Sequence, residues 1–375
     1  MMVQTEIGLL PEDWEVKAIG ECLSIGNGRD YKHLHRGIVP VYGTGGIMTY
    51  VDQYLYDGET VCIGRKGTID NPMYHDGKIW TVDTLFYSHH FKAVPKYMYY
   101  AFCQVDWMSY NEATGVPSLT SKRIEEIQVP LPPQSEQQNI AYALSSIDKL
   151  IDDLGRTIQK KQRIREGAME ELLSGKKRLP GFTEEWVEKK IGEVCNTASG
   201  GTPSRSNPNY YTGKIKWFTT TELNDGWLLD SIEHISEEAI RNSSAKIFKE
   251  GTLLMAMYGA TIGKLGMLSS EAATNQACCA FESKEMDIIF LFYFLFAKRQ
   301  QILSLGAGAG QPNISQQIIK NIPINIPPIK EQHAIADILT SMDDEISLLE
   351  SERAKYEQIR SGMMEELLTG KKRLK

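Results

Sequence analysis

The chain repeats itself, and that repeat limits what it can fold into more than any other feature. GVPSLTSKRIEEIQVPLPPQSEQQNIAYALSSID (Gly115 to Asp148) returns as GQPNISQQIIKNIPINIPPIKEQHAIADILTSMD (Gly310 to Asp343) at a constant offset of 195. The match runs without a gap to MEELLSGKKRL (Met169 to Leu179) and MEELLTGKKRL (Met364 to Leu374). A shorter echo opens each half, WEVKAIGE (Trp14 to Glu21) and WVEKKIGE (Trp186 to Glu193), at an offset of 172. Only two copies exist, at a period far above solenoid lengths, so the chain reads as a duplicated domain-plus-helix unit. The expected layout is a diverged globular region over 1–130, a retained helical segment over 131–179, a second globular region over 180–325 and a second helical segment over 326–375.

The retained segments have the spacing of long helices. After the stop PLPP, Ser135 and Gln138 fit a capping box, and apolar residues fall at Ile140, Leu144, Ile147, Ile151, Leu154 and Ile158 in alternating steps of four and three. The second copy gives Ile335, Leu339, Met342, Ile346 and Leu349, turns polar at Arg353, and resumes at Tyr356, Ile359, Met363 and Leu367. Gly175 and Gly370 stand where a helix C-cap belongs, each followed by Lys-Lys-Arg to complement the dipole. From Glu136 to Leu173 such a helix reaches about 57 Å at about 1.5 Å per residue. An amphipathic helix of that length cannot bury its stripe alone, so the two copies are expected to pair as an antiparallel intramolecular coiled coil. The competing reading packs each helix on its own globular region.

The diverged regions carry short apolar and aromatic runs, such as GETVCIGRKG (Gly58 to Gly67) and GTLLMAMYGATIGKLGML (Gly251 to Leu268), broken by Gly, Asn and Pro. These read as strands and loops with a few helices, giving an α+β chain of two mixed α/β domains and two long helices. MDIIFLFYFLFAKRQQIL (Met286 to Leu303) is too short for a convincing membrane span and reads as a buried helix. No secretory signal opens the chain, and a cytoplasmic, membrane-free protein is expected. Six scattered cysteines, Cys22, Cys62, Cys103, Cys195, Cys278 and Cys279, lack the density of a disulfide framework and read as buried thiols. Cys278 and Cys279 would point opposite ways on a strand and so would not share a metal.

Enzymatic signatures are near misses. GATIGKLG (Gly259 to Gly266) lacks the spacing and the Ser/Thr of a P-loop, and GAGAGQ (Gly306 to Gln311) precedes Pro312 instead of opening a helix. Asn207-Pro208-Asn209-Tyr210 approaches the adenine-gripping motif of methyltransferases, but no glycine-rich cofactor motif stands upstream, and it reads as a turn. The seven histidines, including His89-His90, suggest neither a zinc site nor a triad. The expectation is a chain with no catalytic residues, no metal and no cofactor of its own.

The net charge is −7, and neither globular region is basic: residues 1–130 hold 11 basic against 16 acidic side chains, and 180–325 hold 13 against 15. Contact with DNA would therefore rest on local patches. In the first region the candidates are Arg29, Tyr31, Lys32, Tyr42, Thr44, Arg65, Lys66, Ser118, Lys122 and Arg123. In the second they are Thr202, Ser204, Arg205, Lys216, Thr219, Thr220, Thr221, Tyr258, Lys264, Gln311 and Asn313. Arg reads guanine, Asn and Gln read adenine, and Ser, Thr and Lys hold phosphates.

At these residues the sequence resembles a known family, the specificity subunits of type I restriction-modification enzymes, over essentially its whole length. The carriers in the second half are GGTPSRSNPNYY (Gly200 to Tyr211), KWFTTTEL (Lys216 to Leu223), ISEEAIRNSSAKIFKEGTLLMAMYGATIGKLG (Ile235 to Gly266), TNQACCA (Thr274 to Ala280), GAGQPNIS (Gly308 to Ser315) and IPPIKEQHAIADIL (Ile326 to Leu339). In the first half they are YGTGGIMTY (Tyr42 to Tyr50), GETVCIGRKGTID (Gly58 to Asp70), WTVDTLFYS (Trp80 to Ser88) and GVPSLTSKRIEEIQVPLPP (Gly115 to Pro133). The resemblance implies two target recognition domains, each reading one half of a bipartite site on double-stranded DNA, held apart by antiparallel helices. It further implies two modification (methyltransferase) subunits docked on the helices, with restriction (translocase/endonuclease) subunits beyond them. S-adenosylmethionine, ATP and Mg would belong to those partners. The first half has Val116 and Ser118 where the second has Gln311 and Asn313, so contacts do not transfer simply between halves. Two other readings stay open: a coiled-coil scaffold whose globular regions bind protein, and the specificity chain of a related methylation system outside type I.

Overall fold

The structure, a computed structural model, describes residues 1–305 and 313–375. It contains two compact units, one made of Met1–Thr157 with Leu349–Lys375 and the other of Ile158–Leu348. Both long helices, Gln134–Leu173 and Ile329–Leu367, contribute residues to each unit.

In the first unit, Arg36–Gly43 lies between Gly46–Val51 and Lys78–Thr81, with Tyr56–Asp57 on the outer edge. A second sheet orders Ser24–Asn27, Leu85–His89, Thr60–Gly64 and Met73–His75. Thr60–Gly64 is buried at every residue: Val61, Cys62 and Ile63 are apolar, and the Thr60 hydroxyl donates to Ser88 O at 2.7 Å. In the second unit, Asn196–Ser199, Cys278–Glu282, Leu253–Ala256, Leu265–Leu268 and Trp227–Leu228 form one sheet. Glu233–Ile235, Ile215–Phe218, Ala272–Thr274 and Ile247–Phe248 form the other. One parallel pairing recurs: Thr81 sits opposite Tyr42 in the first unit, and Thr274 opposite Phe218 in the second.

Each unit joins the start of one helical copy to the end of the other. In the first, Ile140, Ala141 and Leu144 share a core with Met364, Leu367 and Leu368. In the second, the positions 195 residues away do the same: Ile335, Ala336 and Leu339 pack with Met169, Leu172 and Leu173. The helix pairing and the packing of helix ends on globular regions, which the sequence offered as alternatives, therefore both occur. Ile147, Ile158 and Ile346 are buried as the heptad stripe requires, but Ile359 is exposed and the neighbouring Arg360 turns inward to Asp148. The capping box also differs. The first long helix already includes Gln134, so Ser135 lies within its first turn, and the buried side chains that tie this end down are Glu136 and Gln137. Gln137 accepts the Val94 amide and donates to the Pro132 carbonyl, both at 2.8 Å. Gly175 and Gly370 have φ of +71° and +68°, the left-handed conformation of a helix terminator.

A buried carboxylate organises each junction. In the first unit Glu136 receives Arg373 through Nε at 2.7 Å and Nη2 at 2.6 Å, Trp14 Nε1 at 3.1 Å and the Leu374 amide at 3.1 Å. Both Nη atoms of Arg373 also reach Asp13 at 2.8 Å. In the second, Glu331 receives Arg178 through Nε and Nη2 at 2.7 Å and Trp186 Nε1 at 3.0 Å. A second tie repeats: Tyr100 donates to Asp148, which pairs with Arg360, and Tyr293 donates to Asp343, which pairs with Arg165.

Ile288–Ala297 is the buried helix expected, with Phe290 to Leu295 inaccessible, and it meets Arg299–Leu305 at a bend of 70°. Among the described residues no single helix is long and apolar enough to cross a membrane. Cys278 and Cys279 do point apart, into two different apolar clusters. Burial pushes the thiols of Cys62, Cys278 and Cys279 up to about 12, which keeps them protonated at neutral pH.

Burial alone would raise the Glu136 carboxyl, but hydrogen bonds from Arg373, Trp14 and the Leu374 amide hold it below its ordinary 4.5. A depressed carboxylate stabilises the fold above its unfolded value and loses that contribution as pH falls through the folded one. Melting temperature should therefore fall more steeply below pH 4.5 in the wild-type chain than in Glu136→Gln. At neutral pH, Arg373→Ala leaves Glu136 buried without its cation and should cost about 3 kcal/mol in chemical denaturation.

Candidate nucleic-acid interface

The predicted contact residues of the first unit converge on one turn. Between Lys78–Thr81 and Leu85–His89 the chain presents carbonyls to two loops and an amide to the strand end at Tyr42. The Arg29 amide donates to Thr81 O at 2.8 Å, and the Arg65 amide donates to Thr84 O at 2.8 Å. The Val82 amide in turn donates to Tyr42 O at 3.0 Å. Lys66 bridges Ser118, and the Gly67 amide donates to Pro117 O at 2.9 Å. A Cβ on Gly67 would lie 3.8 Å from Thr44 Oγ1, which puts Thr44 at the same knot. Arg29, Tyr42, Arg65 and Lys66 are thus gathered by backbone hydrogen bonds made on one short segment, Ser118 joins through its pairing with Lys66, and Thr44 lies beside Gly67.

The remaining candidates of this unit lie beside the knot. Lys122 and Arg123 open the short helix Ser121–Glu125, capped by Thr120, whose Oγ1 accepts the Arg123 amide at 3.2 Å. They line a polar surface pocket of about 410 Å³ with Asn111, Glu112 and Glu126. The Leu119 amide, donating to Arg65 O at 2.9 Å, ties this pocket to the turn. Tyr31 packs on the cluster around Val41 and Trp80, and Lys32 is exposed. Tyr42 is held at its hydroxyl by His75 Nδ1 at 3.4 Å, and its pKa is raised by burial first and by Cys62 and Tyr50 after it.

The second unit builds the same knot from different side chains. The Gly201 amide donates to Thr274 O at 2.8 Å, the Asn275 amide to Phe218 O at 3.0 Å, and the Met257 amide to Ala277 O at 2.8 Å. Tyr258 bridges Asn313 as Lys66 bridges Ser118. Thr202 hydrogen-bonds Gln276, and Thr219, Thr220 and Thr221 follow directly on Phe218, with Thr219 Oγ1 2.8 Å from both Thr221 Oγ1 and Glu222 Oε2. Ser204 and Ser206 pair at 2.7 Å, and Arg205 is held by Glu233. Gln311 lies outside the described residues.

Two lysines of this unit are engaged elsewhere. Lys216 donates to Leu229 O at 2.6 Å and to Ser270 Oγ at 2.9 Å, so it is not brought to the knot. Lys264 sits 3.3 Å from Asp225, a carboxylate already taken by Arg299, so two cations share one anion. Arg299 Nε also donates to Gly263 O at 2.8 Å, which pins the Gly259 to Gly266 loop. The Asn207 to Tyr210 stretch is a turn as predicted, a single 3₁₀ turn capped by Asn207.

Sequence reasoning missed the knots themselves: Asp83 and Thr84 in one, Asn275 and Gln276 in the other, and the positioning acids Asp225 and Glu233. A signal was available, because WTVDTLFYS and ATNQACCAF align at an offset of 193. Close backbone approach explains one residue choice. A Cβ on Gly28 would come within 1.9 Å of Val82 O, and on Gly200, 172 residues later, within 2.1 Å of Thr274 O. Among the described residues no group of three His, Cys, Asp or Glu side chains is placed to hold a metal ion.

Comparison with known proteins bears on this arrangement. A family model described as the type I restriction modification DNA specificity domain matches residues 11–164 and again 183–358. The MjaVIII specificity subunit of Methanocaldococcus jannaschii, a type I restriction enzyme subunit, is 26% identical over 422 residues, covering 98% of this chain and 94% of that one. Among solved structures, the S subunit of a type I restriction-modification system from M. genitalium superposes with a TM-score of 0.70 at 15% identity, covering 94% and 96% of the two chains. A chain from a structural study of complex assembly and conformational transition in the type I R-M system gives 0.55 at 16% identity, covering 96% and 99%.

Gly28→Ala and Gly200→Ala should each push a loop off its turn. Each is expected to cost about 1–3 kcal/mol by denaturant unfolding, against about zero for Gly45→Ala, whose Cβ meets open space.

Proposed function

The chain belongs to the family of type I restriction-modification specificity subunits, and on that premise we propose that it is the non-catalytic DNA-reading subunit of such a complex. Each globular region reads one half of an asymmetric bipartite target. The observation that carries this reading is the recurrence of one knot in both units with different side chains on it. Arg65, Lys66 and Asp83 stand in the first where Met257, Tyr258 and Gln276 stand in the second. A common frame with exchanged donors and acceptors is what a pseudo-symmetric reader of an asymmetric sequence requires, since groove edges are told apart by donor and acceptor pattern. With no excess of positive charge in either region, phosphate neutralisation falls to the local lysines and arginines and to partner subunits.

The partners in this reading are two modification subunits docked on the helices and restriction subunits beyond them. S-adenosylmethionine, ATP and Mg serve those chains. Adenine methylation and DNA cleavage are then partner activities, directed by where this chain binds.

Long-read methylation sequencing tests the proposal directly, using DNA from a methylation-free host that co-expresses this chain with its cognate modification subunit. The expected result is a split motif with a fixed gap and N6-methyladenine in each half, whereas an assembled complex that leaves no new methylation would sink the reading. Lys66→Ala should weaken binding to all DNA several-fold and reduce the salt dependence by about one phosphate, measured by titration at several ionic strengths.

A further inference from the structure

We propose that Glu233 is a positioning residue that holds Arg205 as a reader of guanine rather than as a phosphate anchor. The inference deepens the DNA-reading proposal and rests on it.

Arg205 is more than half exposed, yet its guanidinium is fixed on three sides. Its Nη1 reaches Glu233 Oε1 at 2.5 Å and its Nη2 reaches Oε2 at 2.7 Å. Its carbon lies 4.1 Å from the centre of the Tyr211 ring and 5.3 Å from that of Trp217. The rings meet edge to face at 5.8 Å, and neither is free to drift: Tyr211 donates to Pro203 O at 2.7 Å and Trp217 donates to Gly201 O at 3.0 Å. Glu233 opens the strand Glu233–Ile235 directly opposite Trp217 on Ile215–Phe218, so strand register sets where the carboxylate stands.

Two physical consequences separate base reading from phosphate binding. The first concerns charge. An Arg paired end-on with a carboxylate is close to neutral as a unit, which weakens its pull on a phosphate and removes most of the counterion release that a phosphate contact brings. The second concerns donors. Glu233 takes one N–H from each Nη, leaving three of the five, among them the Nε–H and its neighbour on the same edge. Those two parallel donors match the O6 and N7 acceptors of guanine in the major groove. The ordering entropy of the long side chain is already spent in the free protein, which favours a geometrically demanding contact. An exposed ion pair contributes little to folding, so stability does not account for so many restraints. The pairing favours the charged form of both groups: hydrogen bonds to Glu233 hold the Arg205 guanidinium above its ordinary pKa, and hydrogen bonds from Arg205 hold the Glu233 carboxyl below its own.

The test uses the full chain assembled with its cognate modification subunits and a pool of randomised duplex DNA, with bound molecules sequenced and affinities measured at several salt concentrations. Wild type is expected to select a motif containing a fixed guanine. Arg205→Ala and Arg205→Lys should lose that guanine and bind the selected site about tenfold to a hundredfold more weakly, with salt dependence unchanged. Glu233→Gln should bind unrelated DNA more tightly with a steeper salt dependence while selecting the guanine less sharply, and Glu233→Asp should restore part of the selection. If Arg205→Ala weakens every sequence equally and lowers the salt dependence by about one phosphate, Arg205 is a phosphate anchor and the inference is wrong. It is also wrong if the Arg205 and Glu233 variants leave both the motif and the salt dependence unchanged. A wild-type complex that selects no motif would instead overturn the DNA-reading proposal itself.

Discussion

Everything in the two units depends on burying one carboxylate in each. Glu136 and Glu331 sit at the start of a long helix with almost no solvent contact, where a lone charge costs several kcal/mol. Each is made tolerable by an arginine from the end of the opposite helical copy and by the indole N–H of a tryptophan, Trp14 or Trp186, that stands immediately before a short strand. In the first unit Arg373 and Trp14 come from distant parts of the chain, so satisfying Glu136 fixes three segments at once; in the second, Arg178 and Trp186 lie eight residues apart, and Glu331 ties that one stretch to its helix. The apolar residues around it, Ile140 and Leu144 with Met364 and Leu367 in one unit and their counterparts in the other, supply most of the free energy of the junction. The polar group supplies its register.

Such a junction separates what must be kept from what is free to change. The retained residues face the carboxylate and the apolar core, whereas the knot of loops is held by main-chain carbonyls at Thr81 and Thr84 or Thr274 and Ala277. Hydrogen bonds between backbones do not depend on side-chain identity, so the turn keeps its shape while Val82, Asp83 and Thr84 are exchanged for Asn275, Gln276 and Ala277. Side chains enter only where the backbone allows no alternative, as at Gly28 and Gly200.

Periodicity made much of this legible. The 195-residue offset located both helices, and the steps of four and three chose the stripe that is buried at Ile140, Leu144, Ile147 and Ile158. Adjacent Cys278 and Cys279 were readable as opposite faces of a strand because a strand has period two. What pattern could not supply was pairing at long range. Nothing near Glu136 announces Arg373, nothing near Arg360 says that it, and not Ile359, turns inward, and the acids beside Arg205 and Lys264 are 28 and 39 positions away in sequence. The candidate interface was legible as residue types in loops. Its convergence on a single turn was hidden because the strands that deliver Tyr42 and Thr81 pair in parallel, and local sequence does not encode a parallel pairing.

The distance along the chain between Glu136 and Arg373 also sets a clock. The pair is 237 residues apart, and at about 5–20 residues per second the ribosome takes roughly 10–50 s to cover that interval. Throughout it the first globular region exists with its acid and its Ile140–Leu144 patch uncovered, while Arg178, carrying the same Lys-Lys-Arg-Leu context, emerges far sooner. Nascent chains therefore pass through a period in which the wrong arginine is the nearer one. Native closure requires Glu136 to be left for Arg373 and Arg178 to be left for Glu331.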